Sequence, residues 1–240
     1  MPNHITNIIE FDCSYDRFVE IATFLKGDAA KPLGEVDFNT LIPMPESLNI
    51  EAGSRGDTGY RAYLEFLQQS SKYKRASTKE MLEESFRDRF KNDPEIWELG
   101  KQYYENTKLY GAPHWYDWRC DHWGTKWNAY DCNAVSEGVC ELSFLTAWDG
   151  VPEIVQTISK KFWDVRIHYR YADEDFGNNV GELIFEDGDV IEENFPDGGS
   201  NEAIELAAAV MGGEPEDYGY YKNDDDDYEF NEERYWGECE

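Results

Sequence analysis

The span from residue 140 to residue 173 constrains the fold most, because its hydrophobic period changes twice. CELSFLTAW alternates, with Cys140, Leu142, Phe144, Thr146 and Trp148 on one side. VPEIVQTISKKF then carries Val151, Ile154, Val155, Ile158 and Phe162 at helical spacing, and VRIHYRYAD returns to alternation with Val165, Ile167, Tyr169 and Tyr171 inward. Alternation presents one face of a strand and helical spacing one stripe of a helix, so strand, helix and strand follow in order and the helix must lie across a sheet.

The remaining signals extend that unit. HITNIIEFD alternates with Ile5, Asn7, Ile9 and Phe11 on one side. Ser14 can cap a helix with Phe18, Ile21, Ala22 and Leu25 at helical spacing, and Gly27 stops it. EVDFNTLIPMP reads as an extended segment closed by Pro43 and Pro45. TKWNAYDCN reads as a strand paired beside CELSFLTAW. GELIFEDGDVIEENF places Asp187-Gly188 between apolar runs, the signature of a tight hairpin. A last short helix runs from residue 202 to residue 210 and ends at Gly212.

The core order is βαββαβ, an α+β split βαβ sandwich. It is expected over residues 1–55 and 110–195, interrupted by a helical insertion at 56–109 and followed by an acidic, aromatic-rich extension at 196–240. In the insertion, residues 60–69 read as a helix, Ser77-Thr78-Lys79-Glu80 as a capping box, and Asp93-Pro94 as a helix start.

Charge separates these parts. Lys and Arg number 22 against 51 Asp and Glu, a net of −29, which disfavours direct contact with a phosphate backbone and points to basic or apolar partners. From Arg55 to Lys108 there are 11 basic and 10 acidic residues, so the insertion is nearly neutral. From Ala172 to Glu240, 24 acidic residues face only Lys222 and Arg234, which places −22 of the −29 in the last part of the chain.

Solvating acidic tails are poor in aromatics, whereas here Tyr218, Tyr220, Tyr221, Tyr228, Phe230, Tyr235 and Trp236 interleave with the acids. That composition suits docking, with the rings as anchors and the carboxylates steering towards a basic surface. The expected partner-binding residues are Asp224, Asp225, Asp226, Asp227, Tyr228, Glu229, Tyr235 and Trp236. The plainer reading is that the rings dock on the protein's own sheet and the carboxylates keep it soluble.

The blocks MPNHITN, DFNTLIPMPESL, WGTKWNAYD and LSFLTAW, with an amphipathic helix after the last, together resemble the YubB ferredoxin-like (Api-type) family of phage, plasmid and conjugative-element proteins. The resemblance spans residues 1–50 and 115–190. It implies a ferredoxin-like fold without an iron-sulfur cluster and an accessory gene of a mobile element. It transfers no catalytic residue, and the fold name implies no electron transfer.

WGTKWNAYD is the densest candidate for a ligand site: Gly124 permits a turn, Lys126 is a cation in an acidic chain, and Asn128, Tyr130 and Asp131 supply donors and acceptors beside Trp123. The bland alternative is tryptophan packing with locally closed hydrogen bonds. His114, Asp117, Cys120, Asp121 and His122, with Cys132 nearby, are possible zinc ligands, but their spacing matches no standard zinc motif. Cys120 with His122 is the one local nucleophile-base candidate, and GxSxG, HExxH and phosphate-binding glycine loops do not occur. Asp173, Asp175, Asn178 and Asn179, and the run from Asp224 to Asp227, lack the glycine and glutamate positions of an EF-hand. No catalytic residue, metal or cofactor is therefore expected.

The five cysteines Cys13, Cys120, Cys132, Cys140 and Cys239 form no CxxC pair, which suits reduced thiols. No apolar run of about 18 residues and no secretory signal pattern appear, so a cytoplasmic protein of the bacterial host is expected. The function expected is that of a non-enzymatic accessory protein: an acidic protein-binding module that blocks a basic, nucleic-acid-binding surface of a host or defence protein. The alternative is a small-ligand-binding protein or small enzyme acting at WGTKWNAYD.

Overall fold

The computed structural model describes residues 3–237, and the chain divides into two compact units, Met1–Pro43 with His122–Glu240, and Met44–Asp121. The first unit is built on a five-stranded antiparallel sheet of order β2-β1-β3-β4-β5, from β1 (His4–Asp12), β2 (Glu141–Ala147), β3 (Arg166–Asp173), β4 (Val180–Glu186) and β5 (Asp189–Asn194).

Helix α1 (Tyr15–Leu25) follows β1 as expected: the Ser14 hydroxyl accepts from the Arg17 amide, and Phe18, Ile21, Ala22 and Leu25 are its buried residues. Residues 130–133 run antiparallel along the outer side of β2, with Tyr130 N donating to Leu145 O at 3.1 Å, Leu145 N to Tyr130 O at 2.8 Å and Asn133 N to Ser143 O at 2.9 Å. Counting that segment, the connectivity is β1, α1, short segment, β2, helix, β3, with β1 between β2 and β3. This is the ferredoxin-like βαββαβ order, and β4 and β5 widen it on one side.

Two of the expected strands are not regular strands. TKWNAYDCN meets β2 only at Tyr130 and Asn133, because Asp131 between them takes a positive φ of 48° that interrupts the regular ladder. EVDFNTLIPMP makes one bridge, from Glu35 to Leu33 just before it, then a 3-10 turn over Phe38–Thr40. The Asp37 carboxylate starts that turn by accepting from Asn39 N.

One face of the sheet is sealed by α1 and α6 (Pro152–Lys161), whose Ile154, Val155 and Ile158 are buried as the stripe requires. Ile5, Ile9, Leu142, Phe144, Ile167 and Tyr169 are almost wholly excluded from solvent. Asn7 is buried among them and fully bonded: its Nδ2 donates to Thr146 Oγ1 at 2.8 Å, and its Oδ1 accepts from Tyr169 Oη at 2.7 Å. Tyr169 Oη in turn accepts from Val151 N at 2.7 Å. Trp148 leaves the alternation of β2, since its φ of 77° turns the ring outward to 43% exposure.

The opposite face is covered only in part. Helix α7 (Asn201–Met211), capped by Ser200 and ended by Gly212, sets Ala203, Ala207 and Val210 against Ala172 and Val180. The Asp187-Gly188 hairpin between β4 and β5 has φ of 49° and 81° at its two central residues, the left-handed pair of a type I′ turn. Beyond α7 lie the small hairpin of β6 (Tyr220–Lys222) and β7 (Tyr228–Phe230), then α8 (Glu232–Gly237).

The second unit holds α2 (Ser54–Ser70), α3 (Ala76–Asp88) and α4 (Glu95–Tyr110) around Tyr63, Phe66, Phe86 and Trp97. Ser77 sits inside α3 and caps nothing; the helix begins one residue earlier, after Arg75, without a side-chain cap. Helices α2 and α4 touch backbone to backbone: a Cβ on Gly59 would meet Ile96 O at 1.9 Å, and one on Gly100 would meet the Gly59 carbonyl carbon at 2.0 Å. A further helix, α5 (Trp115–Trp123), carries Asp117, Cys120, Asp121 and His122 of the possible zinc ligands.

Candidate functional site

In the 123–131 segment the structure closes most polar groups on near neighbours. Trp123 is buried, its Nε1 donates to Ile42 O at 3.0 Å, and its ring meets Phe38 edge-on. Lys126 Nζ lies 4.1 Å and 4.0 Å from the ring centroids of Trp127 and Trp148, a cation held between two exposed indoles. Asn128 Oδ1 accepts from Phe38 N at 2.8 Å and its Nδ2 donates to Asp37 Oδ1 at 2.8 Å. Burial raises the Asp37 pKa, but the hydrogen bonds from Asn39 and Asn128 outweigh it, so the net shift is downward. Tyr130 Oη donates to Thr146 O at 3.1 Å and sits 2.6 Å from His4 Nδ1. Asp131 supplies the interruption already described.

The C-terminal extension is folded. Tyr218 and Tyr220 stack on Phe176 at centroid distances of 4.5 and 5.1 Å, and Phe230 packs on Tyr220 and Tyr235. Asn223 Oδ1 accepts from Asp225 N and Asp227 N, and Asn201 clasps the same turn by accepting from Tyr228 N and donating to Asp226 O. Asp224, Asp225, Asp226, Asp227 and Glu229 are exposed, with Asp227 Oδ1 accepting from Asn201 at 3.3 Å and Glu229 Oε1 from Asn223 at 2.9 Å, while Tyr228 is half-buried with Lys222 Nζ 5.1 Å from its ring centroid. Lys222 also pairs with Asp226 at 3.4 Å. The Trp236 side chain and Cys239 lie outside the described residues.

Among the described residues, no three His, Cys, Asp or Glu side chains converge as metal ligands. His114 is buried with its ring edge-on to Tyr103. Cys13, Cys120, Cys132 and Cys140 are not joined in disulfides; burial, then the neighbouring Cys140, pushes Cys13 up to about 11, so it is protonated at neutral pH. No helix among the described residues is long and apolar enough to cross a membrane.

Sequence reading missed the open half of the second sheet face. In register across the strands, Glu141 faces Glu10, Glu10 faces His168, and Arg170 faces Glu182. Arg170 pairs with Glu10, His168 Nε2 lies 2.6 Å from Glu182 Oε1, and Arg166 reaches Glu186 at 3.5 Å and Glu192 at 3.4 Å. Glu141 has no such partner among the described residues. Burial, then the Glu10 carboxylate, raises its pKa against a smaller opposing pull from Arg170.

Between this half-sheet and the end of α7 lies a groove of about 520 Å³ closed on its far side by residues 133–139. The open half of the face is rich in carboxylates, unlike the basic, ring-lined sheets that read single-stranded nucleic acid. The signal for it was in the sequence, as the residues alternating with the apolar row: Glu10, Glu141, His168, Arg170 and Glu182.

Residues 123–214 match the family model described as the ferredoxin-like domain in Api92-like protein, so over that span the chain is similar to Api92-like proteins. Among solved structures, the crystal structure of a protein api92 from Yersinia pseudotuberculosis is 12% identical and aligns over 83% of this chain and 99% of that one, with a TM-score of 0.42. No curated protein matches the sequence.

Proposed function

We propose that this chain is a non-enzymatic protein-binding module whose acidic C-terminal part engages a basic surface of a partner protein. In this reading it is an accessory protein of a phage or mobile element, related to YubB-type proteins. It works in the cytoplasm of the bacterial host and blocks a nucleic-acid-binding surface of a host or defence protein.

The observation that carries the reading is the division of labour in the C-terminal hairpin. Its rings Tyr218 and Tyr220 are spent on Phe176, and Asn201 and Asn223 fix the turn, so Asp224, Asp225, Asp226 and Asp227 are held outward at no further ordering cost. The reading is preferred over a small ligand at 123–131 because Lys126, Asn128 and Tyr130 are already engaged by their own neighbours.

The test is affinity purification from host lysate at low and high salt, beside a variant with residues 224–227 changed to Asn. Basic proteins that co-elute at low salt, and fall by about tenfold or more with salt and in the variant, support it. Identical recovery with the variant, or no basic protein at any salt, overturns it.

A further inference from the structure

We infer that the groove between the end of α7 and residues 133–139 is a socket for one Lys or Arg side chain of the partner, with Glu141 as its counter-ion. This rests on the reading that the partner is basic and names where one of its side chains seats.

Three independent features of the groove converge on that ligand. Its floor carries a half-buried carboxylate, Glu141, set directly opposite Glu10. The Arg170 guanidinium also lines the groove; it pairs with Glu10, and its pull on Glu141 is smaller than the push from Glu10, so two carboxylates share one cation. Two like charges in register repel, so an arriving cation relieves a strain the fold already bears.

Part of the lining is aliphatic, Ile8, Val135, Val139, Val210 and Met211, beside the polar Asn133, Ser136 and Arg170. An aliphatic stretch of wall over a charged floor complements a methylene stem ending in a cation, the way lysine and arginine side chains lie on apolar surface. The third feature is hydrogen-bonding capacity: the Thr6 and Ser143 hydroxyls accept from an ammonium or guanidinium, and the C-terminal end of α7 adds the negative end of a helix dipole. The two carboxylates, Glu10 and Glu141, outnumber the one guanidinium, Arg170, so an anion is disfavoured, and an uncharged apolar ligand leaves Glu141 without a cation of its own.

The experiment uses the full chain, 15N-labelled, titrated with blocked arginine (N-acetyl-arginine N-methylamide) and with its neutral isostere, blocked citrulline. Saturable shifts for blocked arginine are expected at Glu141, Ser143 and residues 209–212 with roughly millimolar affinity. The Glu141 carboxyl should titrate at lower pH once the cation is bound. Citrulline, and the Glu141→Gln variant, should each weaken binding by about tenfold or more. Glu141→Gln removes the repulsion with Glu10, so loss of fold is not the expected confounder.

Absence of saturable shifts, equal binding of citrulline, or unchanged binding to Glu141→Gln overturns the socket. The probe is a single residue and does not touch the 224–227 turn. Salt-labile partner capture without arginine binding therefore removes the socket alone, and arginine binding without partner capture removes the acidic-turn reading alone.

Discussion

The two faces of the central sheet are made by the same strands and solve opposite problems. Towards α1 and α6, Ile5, Ile9, Phe144 and Ile167 form a dry layer, and its polar member, Asn7, is bonded to Thr146 and Tyr169. Towards α7 the layer is dry only where Ala172 and Val180 are covered; beyond that, Glu10, Glu141, His168, Arg170 and Glu182 meet water. The difference teaches that alternation alone separates a dry packing surface from a charged, solvent-facing one, without any change of backbone.

If that contrast holds, substitutions should grade in cost from one face to the other. Phe144→Ala in the dry layer should cost about 3–5 kcal/mol in chemical denaturation, through lost burial and a residual cavity. Tyr169→Phe keeps the ring but strands Asn7 Oδ1 and Val151 N, so a loss of roughly 1–3 kcal/mol is expected with the fold retained by circular dichroism.

On the other face, Arg170→Gln removes the cation beside Glu10, and its cost of about 1 kcal/mol should shrink with added salt. An unchanged cost at high salt would mean that Arg170 stabilises by packing instead.

The smallest effect should be Glu141→Gln, within about 0.5 kcal/mol and in the stabilising direction at neutral pH. Its pH dependence sharpens the comparison. The folded pKa of Glu141 lies above its ordinary value of 4.5, so between those two values the folded state holds the extra proton and the wild-type chain loses stability as pH rises. The advantage of Glu141→Gln should accordingly shrink as pH falls towards 4.5, as measured by denaturation midpoints across a pH series.

Much of this was legible in the sequence for a physical reason: strand and helix periods are local. The buried sets of β1, α1 and α6 are the residues that the alternation and the stripe pick out, and Ser14, Gly212 and Asp187-Gly188 end their elements as their chemistry requires. What was not legible depends on distant partners. Asp37 turns residues 38–40 into a 3-10 turn with help from Asn128, far along the chain, and Asp131 interrupts the strand expected at 125–133 between Tyr130 and Asn133.

The site is a sharper case. Glu10, Glu141 and Arg170 are unremarked charges in their own segments and become neighbours only when strand register lines them up. The acidic run at 224–227 was plain from composition, but its clasp by Asn201 was not.

The crossing of α2 and α4 has a consequence for the paths by which such a chain can change. At most helix contacts an enlarged residue on one side can be absorbed by a smaller one opposite. At Gly59 and Gly100 neither side has an atom to give up, since the obstacle each would meet is the other helix's main chain. The two positions are closed to exchange one at a time and in combination, and only a rotation or lateral shift of a whole helix would reopen them.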